Sequence, residues 1–454
     1  MRRKTSIVLG ACAALLLAGT AGAVTWLRTD GTGTVVGTWH EAGDTARIPV
    51  SVTAPGRPPE TAAAPAPART DDHPVPHATR RTVLPESASA AAAAGRQKVG
   101  ELIDVDRLLG YAGTRPTETF RYPGASYVKL HFDRMTMLPG DYLTVSDPAG
   151  TESYRYDAPA LLSTGAVDKW AMSVTGDTAV LEVHRAGEDV VGALLGKLGV
   201  NVDQVARGFS RTEQAGVPRE QLTGPGQDRR EESVCGTDES RDAVCYKSAD
   251  PVVYARSKAI ARLLINGTEL CTGWRAGPKN RMLTNNHCFS NSADAHDTEV
   301  WFNYQCAVCS GYDTFQPTKV WGDKVLATNR VYDFTLFTVA DFAAVRKFGY
   351  LTFDTVRPRK SQELYVVQHP AGEPARIAGA RGETAGTCAV TDNAYDGYAT
   401  DSDVAYYCDT EGGSSGSPVL SRATNKVVAL HHFGGCPNSG VRGDLLAAKL
   451  ARYL

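Results

Sequence analysis

The sequence predicts an all-β protein: a small β-sandwich followed by a larger β domain that closes on a short C-terminal helix. Three observations carry that prediction. Between Val128 and Val183 apolar and polar residues alternate at a period of two, as in strands with one buried face. Beyond Cys235 many short apolar runs are separated by turn residues, the pattern of numerous short strands. The cysteines that follow the first 23 residues all lie between Cys235 and Cys436, so the cross-linked unit is the C-terminal one.

Composition sets wide bounds. A chain of 454 residues has room for two or three domains, and 42% hydrophobic with 22% charged residues is ordinary for a globular protein. A net charge of −2 gives no reason to expect nucleic acid or an anionic membrane as partner.

Taken in order, residues 1–23 read as a secretory signal. Arg2, Arg3 and Lys4 precede an apolar segment from Ile7 to Ala18, and Ala21-Gly22-Ala23 offers small residues for cleavage. A lipoprotein reading at Cys12 is set aside because the apolar segment continues past it. The mature protein is therefore expected to be extracellular, with no membrane contact after the signal is removed. Residues 24–97 read as a disordered linker, Pro/Ala-rich from Ala54 to Gly95 and unable to bury a core.

The expected sandwich spans 98–211. Val128, Leu130 and Phe132 alternate with Lys129, His131 and Asp133; Trp170, Met172 and Val174 alternate with Ala171 and Ser173. Ala179, Leu181 and Val183 follow a Thr175-Gly176-Asp177-Thr178 turn, which completes a hairpin. Val190 to Arg211 is expected to add a helix. Asp133, Asp141 and Asp147 read as turn acids rather than calcium ligands. Residues 212–234, with Gly224-Pro225-Gly226 and Arg229-Arg230-Glu231-Glu232, form an exposed boundary open to proteolysis.

The last unit, 235–454, carries the chemistry. In Gly412-Gly413-Ser414-Ser415-Gly416-Ser417-Pro418, glycines allow a sharp turn that presents a hydroxyl and aims backbone N–H groups at one point. Read as Gly412-x-Ser414-x-Gly416, it would be the elbow of an α/β-hydrolase. That class needs an acid and then a histidine downstream. Only His431 and His432 follow, with neither Asp nor Glu between Ser414 and them. The other register makes Ser415 the nucleophile. A serine hydroxyl needs a base, and the base needs an orienting acid. Thr284-Asn285-Asn286-His287-Cys288 supplies the histidine, where a Cys271–Cys288 bridge would fix the backbone. Asp333, inside Tyr332-Asp333-Phe334-Thr335-Leu336-Phe337, supplies an acid that is costly to bury unless partnered.

The order His287, Asp333, Ser415 resembles the trypsin/chymotrypsin-like serine endopeptidases. Within that family the chain resembles the secreted bacterial lysyl and glutamyl endopeptidases, and Trp301 to Gln305, Asp333 to Leu336, His369-Pro370 and Gly413 to Pro418 resemble the lysyl branch. The resemblance covers roughly 235–454. It implies a chymotrypsin-like double β-barrel that cuts peptide bonds through an acyl-enzyme. His287, Asp333 and Ser415 would be catalytic, with the Gly413 and Ser415 N–H groups as oxyanion hole. Asp409, Thr410, His431, His432, Phe433 and Gly434 would contact substrate. It also implies bridges Cys235–Cys436, Cys271–Cys288 and Cys245–Cys309; Cys388 with Cys408 is what then remains, with Cys306 left over. Cys306-Ala307-Val308-Cys309 has half of a zinc-site spacing, but no second pair matches it, so no metal or other cofactor is expected. Ser414 stands where trypsin-type zymogens keep an acid, which points to control by a removable N-terminal region.

Counted back without gaps from Ser415, Asp409 falls where trypsin keeps the acid at the base of its specificity pocket, so the resemblance implies cleavage after Lys or Arg. Thr410 and His431 resemble residues of the glutamyl enzymes, so cleavage after Glu is the alternative. A catalytically inactive module on the same fold, acting through its binding domains, is the competing function. Protein or peptide substrates and a monomer are expected.

Overall fold

The computed structural model describes residues 35–36, 95–110, 116–158, 165–186, 198–217, 234–379 and 388–454. The expected signal and the Arg229-Arg230 stretch lie outside the described residues.

Strands β1 (Val35–Val36) and β2 (Gln97–Lys98) come first. They are followed by β3 (Gly100–Gly110), β4 (Thr117–Arg121), β5 (Tyr127–Thr136), β6 (Tyr142–Ser146), β7 (Ser153–Asp157), β8 (Ala166–Trp170), β9 (Val174–Thr175), β10 (Thr178–His184) and β11 (Gly199–Gly208). Except for β2, they build two five-stranded sheets, in the orders β1-β7-β6-β10-β4 and β3-β11-β5-β8, with β9 also on β5. Leu143, Val145 and Leu181 of one sheet share a core with Val128, Leu130, Phe132 and Val200 of the other. That shared core is what makes the unit a sandwich.

Three expectations change here. Residues 199–208 are strand rather than helix, because β-branched Val200, Val202 and Val205 fill the sandwich core between β3 and β5. Residues 190–197 of the expected helix lie outside the described residues; a short helix follows at Arg211–Ala215, started by Ser210, whose hydroxyl accepts the Glu213 N–H. Trp170 to Val174 is interrupted, because Ser173 leaves the ladder to give its N–H and hydroxyl to Glu299 of the next unit. The polar face of β5 is also buried: Tyr127 and Lys129 lie against the C-terminal unit.

The remaining strands are β12 (Arg241–Asp242), β13 (Ile260–Ile265), β14 (Glu269–Arg275), β15 (Met282–Thr284), β16 (Thr298–Phe302), β17 (Thr318–Asn329), β18 (Phe334–Val339), β19 (Leu364–Gln368), β20 (Arg376–Ala378), β21 (Val390–Tyr395), β22 (Asp403–Tyr406), β23 (Pro418–Ser421), β24 (Val427–Phe433) and β25 (Asn438–Arg442). The order β13-β16-β17-β18-β15-β14 returns to β13 and closes one barrel, with β2 added outside β14. The order β19-β23-β24-β25-β22-β21 makes the second barrel, closed by an antiparallel bridge between Glu363 and Ala389.

Strand β13 shows why these runs are apolar on both faces. Ala261, Leu263 and Ile265 fill the first barrel, Ile260 faces the inter-barrel core and Leu264 meets Tyr127 of the sandwich. The inter-barrel core joins Trp274, Leu283 and Leu336 to Tyr365, Val367 and Leu430, and the C-terminal helix (Gly443–Leu450) adds Leu446 and Leu450. Disulfides pair Cys235–Cys436, Cys245–Cys309, Cys271–Cys288 and Cys388–Cys408. With Cys309 bridged, Cys306-x-x-Cys309 cannot be half of a zinc site; Cys306 is a buried thiol, pushed up to about 11 by burial.

Candidate active site

The ladder between β15 and β18 pairs Thr284 with Thr335, so the residues after Thr284 lie beside those before Phe334. This register brings His287 to Asp333. The His287 Nδ1–H donates to Asp333 Oδ2 at 2.8 Å, and the His287 backbone N–H donates to Oδ1 at 3.0 Å. A carboxylate only accepts, so the neutral ring carries its proton on Nδ1 and its lone pair on Nε2. Nε2 is buried and has no hydrogen-bond partner among the described residues. Asn285 Nδ2 donates to the Asp333 carbonyl at 2.8 Å and Asn286 Nδ2 to Thr328 Oγ1 at 2.7 Å. The two asparagines thus tie the histidine turn to the segment that carries the acid.

Asp333 is fully buried. Burial alone would raise its carboxyl, but His287 and His432 outweigh it and hold it well below the usual carboxylate range. His432 donates from Nδ1 to Asp333 Oδ2 at 3.1 Å and from Nε2 to Asp403 Oδ2 at 2.6 Å. Burial opposes charge on this ring, yet Asp403 and Asp333 raise it to about 9, so at neutral pH it is an imidazolium between two carboxylates.

Ser415 lies on the turn leading into β23. Gly416 has φ +86°, and a Cβ there would come within 2.1 Å of the Thr272 carbonyl, so only glycine fits. Thr272 N–H donates to the Ser415 carbonyl at 2.9 Å, and Thr272 Oγ1 to the Gly413 carbonyl at 2.9 Å. Among the described residues the Gly413 and Ser415 N–H groups donate to no protein acceptor. Ser414 is fully buried, its Oγ accepting the Glu411 N–H at 3.1 Å. The Ser415 hydroxyl donates to the Gly95 carbonyl at 3.3 Å. Gly95 to Gln97, expected to belong to the linker, are therefore docked against the barrels. Cys271, His287 and Cys288 are close together, but both sulfurs are spent in a disulfide and offer no thiolate to a metal.

The residues expected to contact substrate have diverse environments. Asp409 Oδ2 accepts the Glu239 N–H at 3.0 Å, and burial raises its carboxyl. Asp409, Thr410 and Glu411 line one wall of a cavity of about 420 Å³. His431 is buried with Nδ1 2.8 Å from the Tyr406 hydroxyl; burial, then the charge of His432, lower it to about 3, so it is neutral. The His432 ring faces inward and stacks on Phe433 at 3.7 Å, and Gly434 follows, also buried. Asp403 and Tyr406 were missed in the sequence, as was Glu269, which pairs with Arg96 at 2.7 Å. Only the burial pattern of β22 would have marked the first two.

Fold and site together define a class: over its C-terminal unit the chain resembles the trypsin-like serine endopeptidases. Within it, residues 237–444 match the family model of lysyl endopeptidase, C-terminal domain. Secreted RxLR effector protein 73 of Plasmopara viticola is 40% identical over 220 residues, 46% of this chain and 53% of that protein. Uncharacterized protein y4fB of Sinorhizobium fredii is 25% identical over 207 residues, 39% of this chain and 28% of that protein. The chain thus spans about half of the first relative and little more than a quarter of the second. A solved Glu endopeptidase in complex with MPD is 20% identical, covers 48% of this chain and 98% of its own, and has a TM-score of 0.36. The inactive form of Rv3671c protease is 16% identical, with shares of 46% and 94% and a TM-score of 0.33. Among the described residues no helix is long and apolar enough to cross a membrane.

Proposed function

We propose that the C-terminal unit is a secreted serine endopeptidase. Ser415 Oγ attacks the scissile carbonyl while His287 Nε2 takes its proton. The tetrahedral oxyanion is held by the Gly413 and Ser415 N–H groups. His287 returns the proton to the leaving amine, and water then hydrolyses the acyl-enzyme by the same steps in reverse order. Asp333 keeps the proton on Nδ1 and stabilises the imidazolium that forms. The observation that carries this reading is the pair of contacts from His287 to Asp333, which leaves the Nε2 lone pair without a protein partner among the described residues.

Secretion is supported by the N-terminal basic-apolar segment and by the disulfides, which suit an oxidising compartment. Cleavage after Lys or Arg is supported by the acids Asp409 and Glu411 ahead of the nucleophile turn. An acidic side chain would need a cation; His431 is neutral, and the charge of His432 is already shared by two carboxylates. The hydroxyl of Ser415 engaged by Gly95, rather than by His287, supports a precursor form in which the N-terminal region blocks the site.

The test is peptide hydrolysis by single variants after removal of the N-terminal region. Ser415→Ala is expected to lower kcat by about 10⁶-fold, whereas Ser414→Ala retains turnover. Full activity of Ser415→Ala would refute the assignment.

A further inference from the structure

The segment before the sandwich runs extended through the cleft, its Gly95 carbonyl on the Ser415 hydroxyl rather than on the Gly413 and Ser415 N–H groups. The Gly95 carbonyl accepts from Ser415 Oγ at 3.3 Å. The chain then leaves along β14, with Gln97 opposite Leu270 and Lys98 opposite Glu269 in antiparallel register. This is strand addition to a sheet edge, the way an extended peptide is held by its main chain. The carbonyl at the nucleophile belongs to the Gly95–Arg96 bond. Gly95 thus stands where the residue before a cut would stand, and Arg96 where the residue after it would.

Arg96 enters a built site. It is 5% exposed; Nη1 lies 2.7 Å from Glu269 Oε2, and Nε donates to the His287 carbonyl at 3.4 Å. Asp294 adds an electrostatic interaction with the same guanidinium. Gly95 has no side chain to place in a pocket before the cut. Among the side chains of this segment, Arg96 makes the charged contact with the catalytic unit.

We propose that Glu269, with the His287 carbonyl, forms a subsite that selects a basic side chain on the residue directly after the scissile bond. The inference rests on the peptidase reading above. A guanidinium reaches both acceptors at once, whereas an ammonium offers a single point, so the order is Arg, then Lys, then neutral, with acidic side chains last.

The experiment uses the full chain carrying Arg96→Ala and cut within 212–234, so that the segment leaves the cleft and the subsite is empty. Quenched peptides share every residue except the one after the cut. The peptide with Arg there is expected to show kcat/KM about 10- to 100-fold above the Ala peptide, the worth of a charged hydrogen bond. In the same background Glu269→Arg reverses the order and makes the Glu peptide fastest, a reversal that loss of fold does not produce. Equal rates for the Arg, Ala and Glu peptides overturn the subsite and leave the peptidase reading intact, since the peptides are being cut. Absence of turnover in every form, with Ser415 inert to a fluorophosphonate, overturns both.

Discussion

Residue by residue, the site is a set of groups whose charges are settled by their nearest neighbours. Asp333 stays ionised in a dry setting because two histidines donate to it, and His431 stays neutral because it is buried beside a charged ring. The Gly413–Pro418 turn and the Thr284–Cys288 motif were legible in sequence because turn chemistry and a cysteine beside a histidine are local signals. Asp403 was not, because its role depends on a contact with His432 across the sheet. Asp409 belongs to this scale too. Its carboxylate is buried and takes a backbone N–H from Glu239, so a basic substrate side chain would relieve an under-compensated acid. Asp409→Ser is expected to lower kcat/KM for peptides cut after Lys or Arg by about 10- to 100-fold, through loss of a charged hydrogen bond. A panel differing only at the residue before the cut checks this; an unchanged basic preference removes Asp409 from the pocket.

At the scale of elements, β24 and β22 matter most, because they carry His432 and Asp403 behind Asp333. The period-two pattern made such strands legible as strands. It did not say which faces were dry, since both faces of β13 and β24 are buried. The same limitation hid β11, whose valines fit a strand only once β3 and β5 are present to flank it. The His432 bridge has a consequence for pH. Its folded value, about 9, lies above the ordinary 6.5, so its contribution to stability is complete below about 6.5 and is lost as pH rises through about 9. The thermal midpoint is expected to fall over that window. His432→Gln should start lower and stay flat across it, and parallel slopes in the two proteins would contradict the bridge.

The whole molecule is held together by buried charge as well as by apolar cores. Glu299 of the first barrel is fully buried and accepts from Lys129 at 2.7 Å, from Ser173 N–H and Oγ at 2.9 and 2.6 Å, and from Trp301 Nε1 at 2.8 Å. Lys319 extends the network to Glu152 at 2.6 Å. None of this docking was legible in the sequence, where Lys129 reads as a solvated face residue. The interface holds the sandwich in place and with it Gly95 to Lys98 in the cleft. Glu299→Ala strands the Lys129 charge and is expected to cost about 3–5 kcal/mol. Equilibrium denaturation checks the figure, and a loss below about 1 kcal/mol would mean the charge is solvated. Removal of the sandwich, for which we propose cleavage within 212–234, would clear the cleft.

The central claim is that Ser415 is an activated nucleophile held in check by the N-terminal region. Mass spectrometry of fluorophosphonate-treated protein tests it most directly, comparing the full chain with a form cut within 212–234 and freed of the sandwich. The account predicts a single adduct on Ser415, formed slowly in the full chain and rapidly in the freed form. An unlabelled Ser415 in the folded, freed form, or an adduct on Ser414 instead, would contradict it.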